Sequence, residues 1–496
     1  MTLFRRAAVG VKWTSLSAGI LGVLQVAQLL IMARLLDPTD FGLIALAAVV
    51  MQAGGTLANA GISNALIYKQ EADPDRLSTL YVLTAALGLV LFLAVLTCAG
   101  IIAELFREPK LGPVLRWSAL ALLFSPFGQQ FAVLLQKEMD FSTLARIEIA
   151  TAGLGLLLAV VAALAGAGVY ALVFAALAGN VLRTVWLVRI GWRRWPPRLH
   201  FRLRDLRGYW RFGAFQWAEQ LLGLLTTNLD KILVGGLLGS HALGIYNVAY
   251  RLMSVPYALF NAVVTRVAFP AFAEIQNDPA RVRNAFVDLV RITAIVMLPV
   301  YFGLFVTADQ LFALLGPQWH GASPLLRAFA VLGMFYSIGS PFGSLLIALG
   351  RADISFAMNV LRLTLFTVAV PIGILFGAVG AAWAVTLAIA LVMFPIGIWI
   401  RWRLIRLPMR PYFDAILRAA TAGAIMAWAV QHLQATQSDS WIPAAQLGAS
   451  VALGLIAYVL LISIIEGRTL FALLRRIRAH KERARKAIPG TGTLAN

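Results

Sequence analysis

The segment Leu87–Ala103 reads LGLVLFLAVLTCAGIIA, seventeen residues without a charge. Runs of this kind recur along the whole chain. A lipid-exposed segment must close its own backbone hydrogen bonds, so only helices and closed barrels cross a bilayer. A barrel strand would alternate apolar and polar residues. The runs here are continuous, and they predict helices. Composition agrees: 60% of residues are hydrophobic and 13% charged, too apolar for a soluble chain to cover its own surface. A span needs about 20 residues. The runs place spans near 13–36, 41–66, 77–103, 112–135, 143–165, 168–189, 212–238, 242–272, 286–308, 322–349, 354–377, 379–401, 412–432 and 442–465. The first run is too long for the h-region of a signal peptide, about 7–15 residues, and reads as an uncleaved span.

The formal charge is +20. Alternate sides of these spans receive 34 and 5 of the 42 Lys and Arg residues. That asymmetry is a positive-inside signal and places both termini in the cytoplasm. The charge therefore speaks for topology and anionic headgroups, not for nucleic acid. Cys98 is the only cysteine, which excludes an intramolecular disulfide or a multi-cysteine metal site. No phosphate-loop or HExxH motif occurs, and no cofactor is expected.

The first half of the chain repeats in the second. ARLLDPTDFGLIALA (Ala33–Ala47) aligns with GGLLGSHALGIYNVA (Gly235–Ala249) at an offset of 202, so that Gly42 matches Gly244. DPDR (Asp73–Arg76) matches DPAR (Asp278–Arg281), PVLRWSA (Pro113–Ala119) matches PLLRAFA (Pro324–Ala330), and SPFG recurs at Ser125 and Ser340. The offset drifts smoothly to 215, as small insertions produce. Six spans repeat as six, so the halves share one orientation across an axis along the membrane normal. The expected fold is an all-α polytopic membrane protein of about fourteen transmembrane helices. Two six-helix lobes stand in parallel repeat (1–190 and 212–402), an Arg-rich linker joins them (191–211), spans 13–14 follow (403–466), and a basic cytoplasmic tail ends the chain (467–496).

An ionisable group deep in a span usually faces a bundle interior or a wet cavity. TTNLDKILVGG in span 7 carries Asn228, Asp230 and Lys231, and span 8 carries Arg251 at similar depth beyond a tight turn. Together they would present an excess cation to an anionic substrate, with Asp230 holding the cations or taking a coupling proton. The alternative is a buried Asp230–Arg251 pair that locks two helices while Lys231 snorkels outward. In the first half Gln28 stands where Asp230 stands in the second, and Gln25 shares its face. Gln52, Asn59 and Asn64 line span 2 in the same way, and these polar residues either face a cavity or hydrogen-bond between helices. Arg362 lies about 12 Å inside span 11, where it lines the cavity or snorkels. Arg34 reads as an interfacial residue. Tyr246, Tyr250, Tyr257 and Asn261 form a candidate aromatic-polar wall for sugar, or an interface belt.

The segments ARLLDPTDFGLIALA, GISNALIYKQ (Gly61–Gln70), LLQKEMDFSTLARIEI (Leu134–Ile149) and GIYNVAYRLMSVP (Gly244–Pro256) resemble the Wzx-type polysaccharide flippases, nearest to the colanic-acid and xanthan branch. Their superfamily also holds the MATE exporters and the lipid II flippase. The resemblance implies two lobes around a cationic cavity. It implies an undecaprenyl-diphosphate-linked oligosaccharide turned from the inner to the outer leaflet, and polymerase and chain-length or export proteins as possible partners. The resemblance carries substrate-binding roles to Asn228, Asp230, Lys231 and Arg251; the first lobe departs from it, with Gln25 and Gln28 where a second cationic cluster would stand, and these two and Arg362 join the candidate site from their place in the spans. A MATE-like ion-coupled exporter of small molecules is the alternative. A membrane glycan polymerase or ligase is disfavoured by short outer loops.

Overall fold

The computed structural model of the protein describes residues 3–59, 74–198, 200–202, 210–436 and 442–486. Asn64, residues 199 and 203–209 of the Arg-rich linker and the last residues of the tail lie outside these. Every regular element among the described residues is a helix. The membrane spans are α1 (Leu3–Leu35), α2 (Pro38–Asn59), α3 (Pro74–Leu105), α4 (Leu111–Lys137), α5 (Phe141–Leu164), α6 (Val169–Arg194), then α7 and α8 within Trp210–Ile275. They continue as α9 (Pro279–Val306), α10 (Ser323–Ala348), α11 (Ala352–Ile374), α12 (Gly377–Ile405), α13 (Met409–Thr436) and α14 (Pro443–Lys486). α14 runs without a break into the basic tail.

Thirteen segments are long and apolar enough to cross a bilayer, and one of them, Glu219–Ile275, has 57 residues. As a single rod it would be about 85 Å long. It is two spans. Gly239 leaves the helix at φ 83° and ψ 175°, a conformation open to glycine, and the chain reverses there. The Tyr246 hydroxyl lies 2.7 Å from Asp230 Oδ2, although sixteen helical residues would separate them by about 24 Å. The count of fourteen follows, and the span positions agree with the apolar runs.

The turns fall at two ends of the bundle. The Arg-poor end holds the α1–α2 turn, the α3–α4 turn and Gly239. The Arg-rich end holds the α4–α5 turn, where Arg194 bonds Glu138 and Asp140, and the described part of the linker. That linker is not a free surface segment. Its Arg198 N–H donates to Ser78 Oγ at 3.2 Å, and Trp195 packs against Tyr81 and Phe131.

Helices α1–α6 pack among themselves, as do α7–α12, with α13 against α9 and α14 against α13. The distribution of the core shows how the two groups meet. At the Arg-poor end one continuous core runs through both, with Met32, Phe41 and Leu46 of the first group packed with Val234, Tyr246 and Trp319 of the second. At the Arg-rich end each group has its own core, around Phe131 and Leu187 in the first and around Phe286 and Leu345 in the second. The lobes are thus fused at one end and separate at the other.

The fusion is built by close backbone contact. A Cβ on Gly42 would lie 1.8 Å from the Ser240 carbonyl oxygen, and one on Gly244 would lie 1.7 Å from the Pro38 carbonyl oxygen. These contacts are reciprocal under the 202-residue offset: Gly42 and Gly244 correspond, and so do Pro38 and Ser240. A pseudo-twofold axis relates the two lobes at this point, as in an isologous interface. Glu108 Oε1 accepts from the Ser240 N–H at 2.8 Å. The connection after α9, a short outer loop by sequence, carries a helix (Ala308–Leu315) and a 3-10 turn (Pro317–Trp319) that close over α1. Trp319 Nε1 and Gln318 Nε2 both donate to the Ala33 carbonyl, at 2.7 and 3.1 Å. Arg34 Nε donates to the Leu314 carbonyl at 2.8 Å, so Arg34 bridges the lobes and is not simply an interfacial residue.

Candidate functional site

α7 carries Asn228, Asp230 and Lys231 within one turn, and the reversal at Gly239 brings α8 against them. Asp230 is 3% exposed. Its Oδ2 accepts from Tyr246, and its Oδ1 has no hydrogen-bond partner among the described residues. Asp230 therefore does not pair with Arg251, as the helix-locking alternative would require. Lys231 does not snorkel. Its Nζ donates to Asn228 Oδ1 at 3.3 Å and lies 4.9 Å from the centroid of the Tyr250 ring, within cation–π reach. Asn228 Nδ2 in turn donates to Gln52 Oε1 at 3.0 Å, across the lobe boundary.

Arg251 is exposed on a polar stripe of α8 with Asn247 and Ser254. α8 meets α1 where Leu259 fills the space beside Gly22. Gln25 on α1 and Arg251 on α8 both lie about 17 Å from the Arg-poor end, counting 1.5 Å per residue. Gln28 is one turn nearer that end. Gln25 and Arg251 thus share one level of the two helices that face each other between the lobes, with Gln28 one turn along.

Arg362 is the predicted residue that the structure connects furthest. It lines two adjoining cavities, together with Tyr257 and Tyr336. The smaller, about 230 Å³, has Asp230, Thr226, Thr227 and Tyr250 on its wall. The larger, about 650 Å³, lies among α8, α10, α11 and α12 toward the Arg-rich end. Its wall carries Arg266, Arg362 and Arg401, with Asn261, Thr265, Ser340 and Asn359, and no Asp or Glu. Three arginines thus share one wall. Arg362 Nη2 donates to Asn359 Oδ1 at 3.4 Å, while its Nε and the hydroxyls of Ser340 and Ser344 have no hydrogen-bond partner among the described residues. Lys231 and Arg251 line neither cavity.

Arg401 is the residue that sequence reasoning missed. It looks like one more positive charge at the end of a span. It is 3% exposed, donates from Nη1 to the Tyr412 hydroxyl at 2.9 Å, and lies 4.7 Å from the Phe342 ring centroid. Phe286, Phe394 and Tyr412 complete an aromatic cage at about 6 Å. Arg266 was missed for the same reason. The aromatic-polar wall divides: Tyr257 lines both chambers, Asn261 the large one and Tyr250 the small one, and Tyr246 stands behind as the partner of Asp230.

Fourteen helices in two matched groups, joined through one continuous core at the Arg-poor end, define a two-lobed membrane fold, and both cavities that Arg362 lines lie within the second group. A family described as "Polysaccharide biosynthesis protein" matches residues 31–324, more than half of the chain, and the chain belongs to that family. It is 34% identical over 393 residues to the lipopolysaccharide biosynthesis protein WzxC of Escherichia coli (strain K12), covering 79% of each chain. It is 31% identical over 478 residues to the teichuronic acid biosynthesis protein TuaB of Bacillus subtilis (strain 168), covering 95% of this chain and 98% of that one. The succinoglycan biosynthesis transport protein ExoT of Rhizobium meliloti (strain 1021) is 27% identical and is covered over 97% of its length. The fold is similar to the lipid II flippase MurJ in an inward closed conformation, with a TM-score of 0.76 and 14% identity, over 93% of this chain and all of that one. An inward-facing MATE transporter matches at 0.57 and 18% identity, over 78% of this chain and 95% of that one. The likeness to Wzx-type proteins is borne out, and the chain is a multi-pass protein of the bacterial cytoplasmic membrane.

Proposed function

We propose that the protein is a flippase that carries an undecaprenyl-diphosphate-linked oligosaccharide repeat unit from the inner to the outer leaflet of the cytoplasmic membrane. The observation that carries this reading is the chamber of Arg266, Arg362 and Arg401, with no acidic residue on its wall. A diphosphate losing its hydration shell needs replacement donors, and guanidinium groups bind phosphate oxygens in bidentate fashion. Polar and aromatic side chains around them suit a sugar. The positive-inside charge split reads the Arg-rich end as cytoplasmic, and it is at this end that the two lobes keep separate cores, the side on which the lipid-linked unit would be made. Arg251, Gln25 and Gln28, on the helices that face each other across the lobes, are the residues this reading assigns to the path of the headgroup, while Lys231 and Asn228 stand behind Tyr250 and Gln52. Release then requires the contacts at the Arg-poor end to part while those at the other end close, by rocking of one lobe against the other. An inside-negative potential favours outward movement of the anion by about 2.3 kcal/mol per charge per 100 mV. Asp230, with one oxygen unbonded, is the group placed to take a coupling proton.

A MATE-like exporter of cations would be served by carboxylates in the large chamber, and its wall has none. The test is leaflet orientation of the lipid-linked unit in vesicles with and without the protein, read by an impermeant probe of the glycan. Protein-dependent transfer that is lost in Arg362→Ala at normal abundance is the expected result. Absence of transfer by folded protein with its matched substrate overturns the reading.

A further inference from the structure

Hairpin α11–α12 is closed at one end and open at the other. Near its turn the backbones touch: a Cβ on Gly373 would lie 2.6 Å from the Gly380 oxygen, and one on Gly380 would lie 2.2 Å from the Gly373 oxygen. A π-helical turn, Ala388–Met393, then interrupts α12. Beyond it Phe394–Ile405 packs on α9 and α10 in place of α11. The two helices splay toward the Arg-rich end and leave a wedge.

The wedge holds two spaces side by side. One is the arginine chamber. The other is an apolar groove of about 570 Å³, lined by Ile354, Ala357 and Leu361 of α11 and by Ile396, Trp399 and Ile400 of α12. On α12 the groove face and the chamber face are adjacent sides of one helix: Arg401 is buried on the chamber side, while Trp399 is 53% exposed on the groove side. Met358 lines both spaces. A methionine is the most adaptable partition a helix can offer, unbranched and with three rotatable bonds. At the mouth of the groove stand Arg403, over the Trp399 ring, and Arg351 in an ion pair with Asp353.

We propose that the splayed α11–α12 wedge is a lateral portal, in which the groove holds the polyisoprenoid chain of the substrate while the diphosphate enters the arginine chamber past Met358. The inference rests on the flippase reading and adds the route of entry and the seat of the chain. The occupant is set by continuity and charge. A chain joined to an anion in the chamber must leave through a wall that opens to lipid, and Met358 is the residue that borders the chamber on one side and lipid-facing apolar surface on the other.

The test uses Ala357→Cys in a Cys98→Ala background. Ala357 is exposed in the groove, so a bulky maleimide can be attached to protein already folded and reconstituted. Transfer of the long-chain lipid-linked unit is measured before and after attachment, and binding of a chain-free sugar diphosphate is measured in parallel. The expected result is transfer slowed about tenfold or more, with binding of the chain-free diphosphate unchanged. Unmodified protein that transfers, and modified protein that transfers equally fast, overturns the portal and leaves the flippase reading standing. Unmodified protein that does not transfer at all overturns both. A second measurement places a photoreactive residue at Ile400. Preferential capture of a polyprenyl diphosphate over phosphatidylglycerol supports the portal, whereas equal or preferential capture of the phospholipid overturns it.

Discussion

Replacing Gly42 by alanine isolates the contact that fuses the lobes. The added Cβ would lie 1.8 Å from the Ser240 carbonyl oxygen and 2.6 Å from its carbonyl carbon. Both obstructing atoms are backbone in the turn after Gly239, so no side chain can swing aside. Ordinary contact requires a separation of about 3.4 Å, and α2 must retreat from the hairpin by roughly 1.5 Å. Overpacking of this kind costs about 1–3 kcal/mol. The cost falls only on conformations in which the Arg-poor ends touch. Each 1.4 kcal/mol is tenfold in an equilibrium, so the balance between closed and open Arg-poor ends shifts by about five- to 150-fold toward open. Ser240 is 3% exposed in the closed form, and Ser240→Cys in a Cys98→Ala background reports opening through its rate of labelling by an impermeant maleimide. Labelling should accelerate within that range in Gly42→Ala. Gly244→Ala should act in the same direction, because its Cβ meets the Pro38 carbonyl in the mirrored contact. The double variant should fall short of the sum, since one separation relieves both clashes. Equal labelling rates in Gly42→Ala and its parent, at equal thermal stability, would refute the assignment of this contact as the closed gate.

Three further outcomes are expected. Gln52→Leu removes the acceptor of the Asn228 amide across the lobes. A hydrogen bond contributes about 0.5–1.5 kcal/mol net, so the same labelling assay should accelerate by about two- to tenfold. Arg401→Leu leaves the buried Tyr412 hydroxyl without its partner, at a cost of about 1–3 kcal/mol, and the protein that folds should not transfer. Arg401→Lys should also transfer poorly, since an ammonium lacks the planar fork; wild-type transfer by the leucine variant would remove Arg401 from the anion site. Asp140 caps α5, accepting from Thr143 N at 3.2 Å and Thr143 Oγ1 at 2.9 Å. Partial burial alone would raise its carboxyl, but hydrogen bonds from Thr143, Ser142 and Arg194 outweigh it and hold the group below the usual carboxylate range. Its stabilisation is therefore present at neutral pH and is lost as pH falls below about 4. Asp140→Ala should cost about 0.5–2 kcal/mol at pH 7, and its melting difference from wild type should shrink in acid.

Much of this architecture was legible along the chain. An apolar run too long and too continuous for anything but a helix marks each span, because lipid leaves the backbone no other partner. The positive-inside split and the 202-residue offset assigned Gly42 to Gly244 before any contact between them was visible. Asp230, Lys231 and Asn228 stood out because polar residues in the middle of a span are costly. Span position alone, however, does not say which way a side chain points. Arg401 and Arg266 sit near span ends, where a charge needs no explanation; that Arg401 is buried and that both line one chamber depends on how α12 packs against its neighbours. Lys231 sits mid-span, but Tyr250 and Asn228 hold it away from both cavities. The reciprocal contacts of Gly42 and Gly244, the closure of Trp319 over Ala33 and the wedge between α11 and α12 join residues that no local pattern connects. Local sequence determines which segments enter the membrane and in which sense, since each segment answers to the bilayer on its own. Which faces of those segments enclose an anion, and which seal the lobes, is decided only when fourteen helices pack against one another.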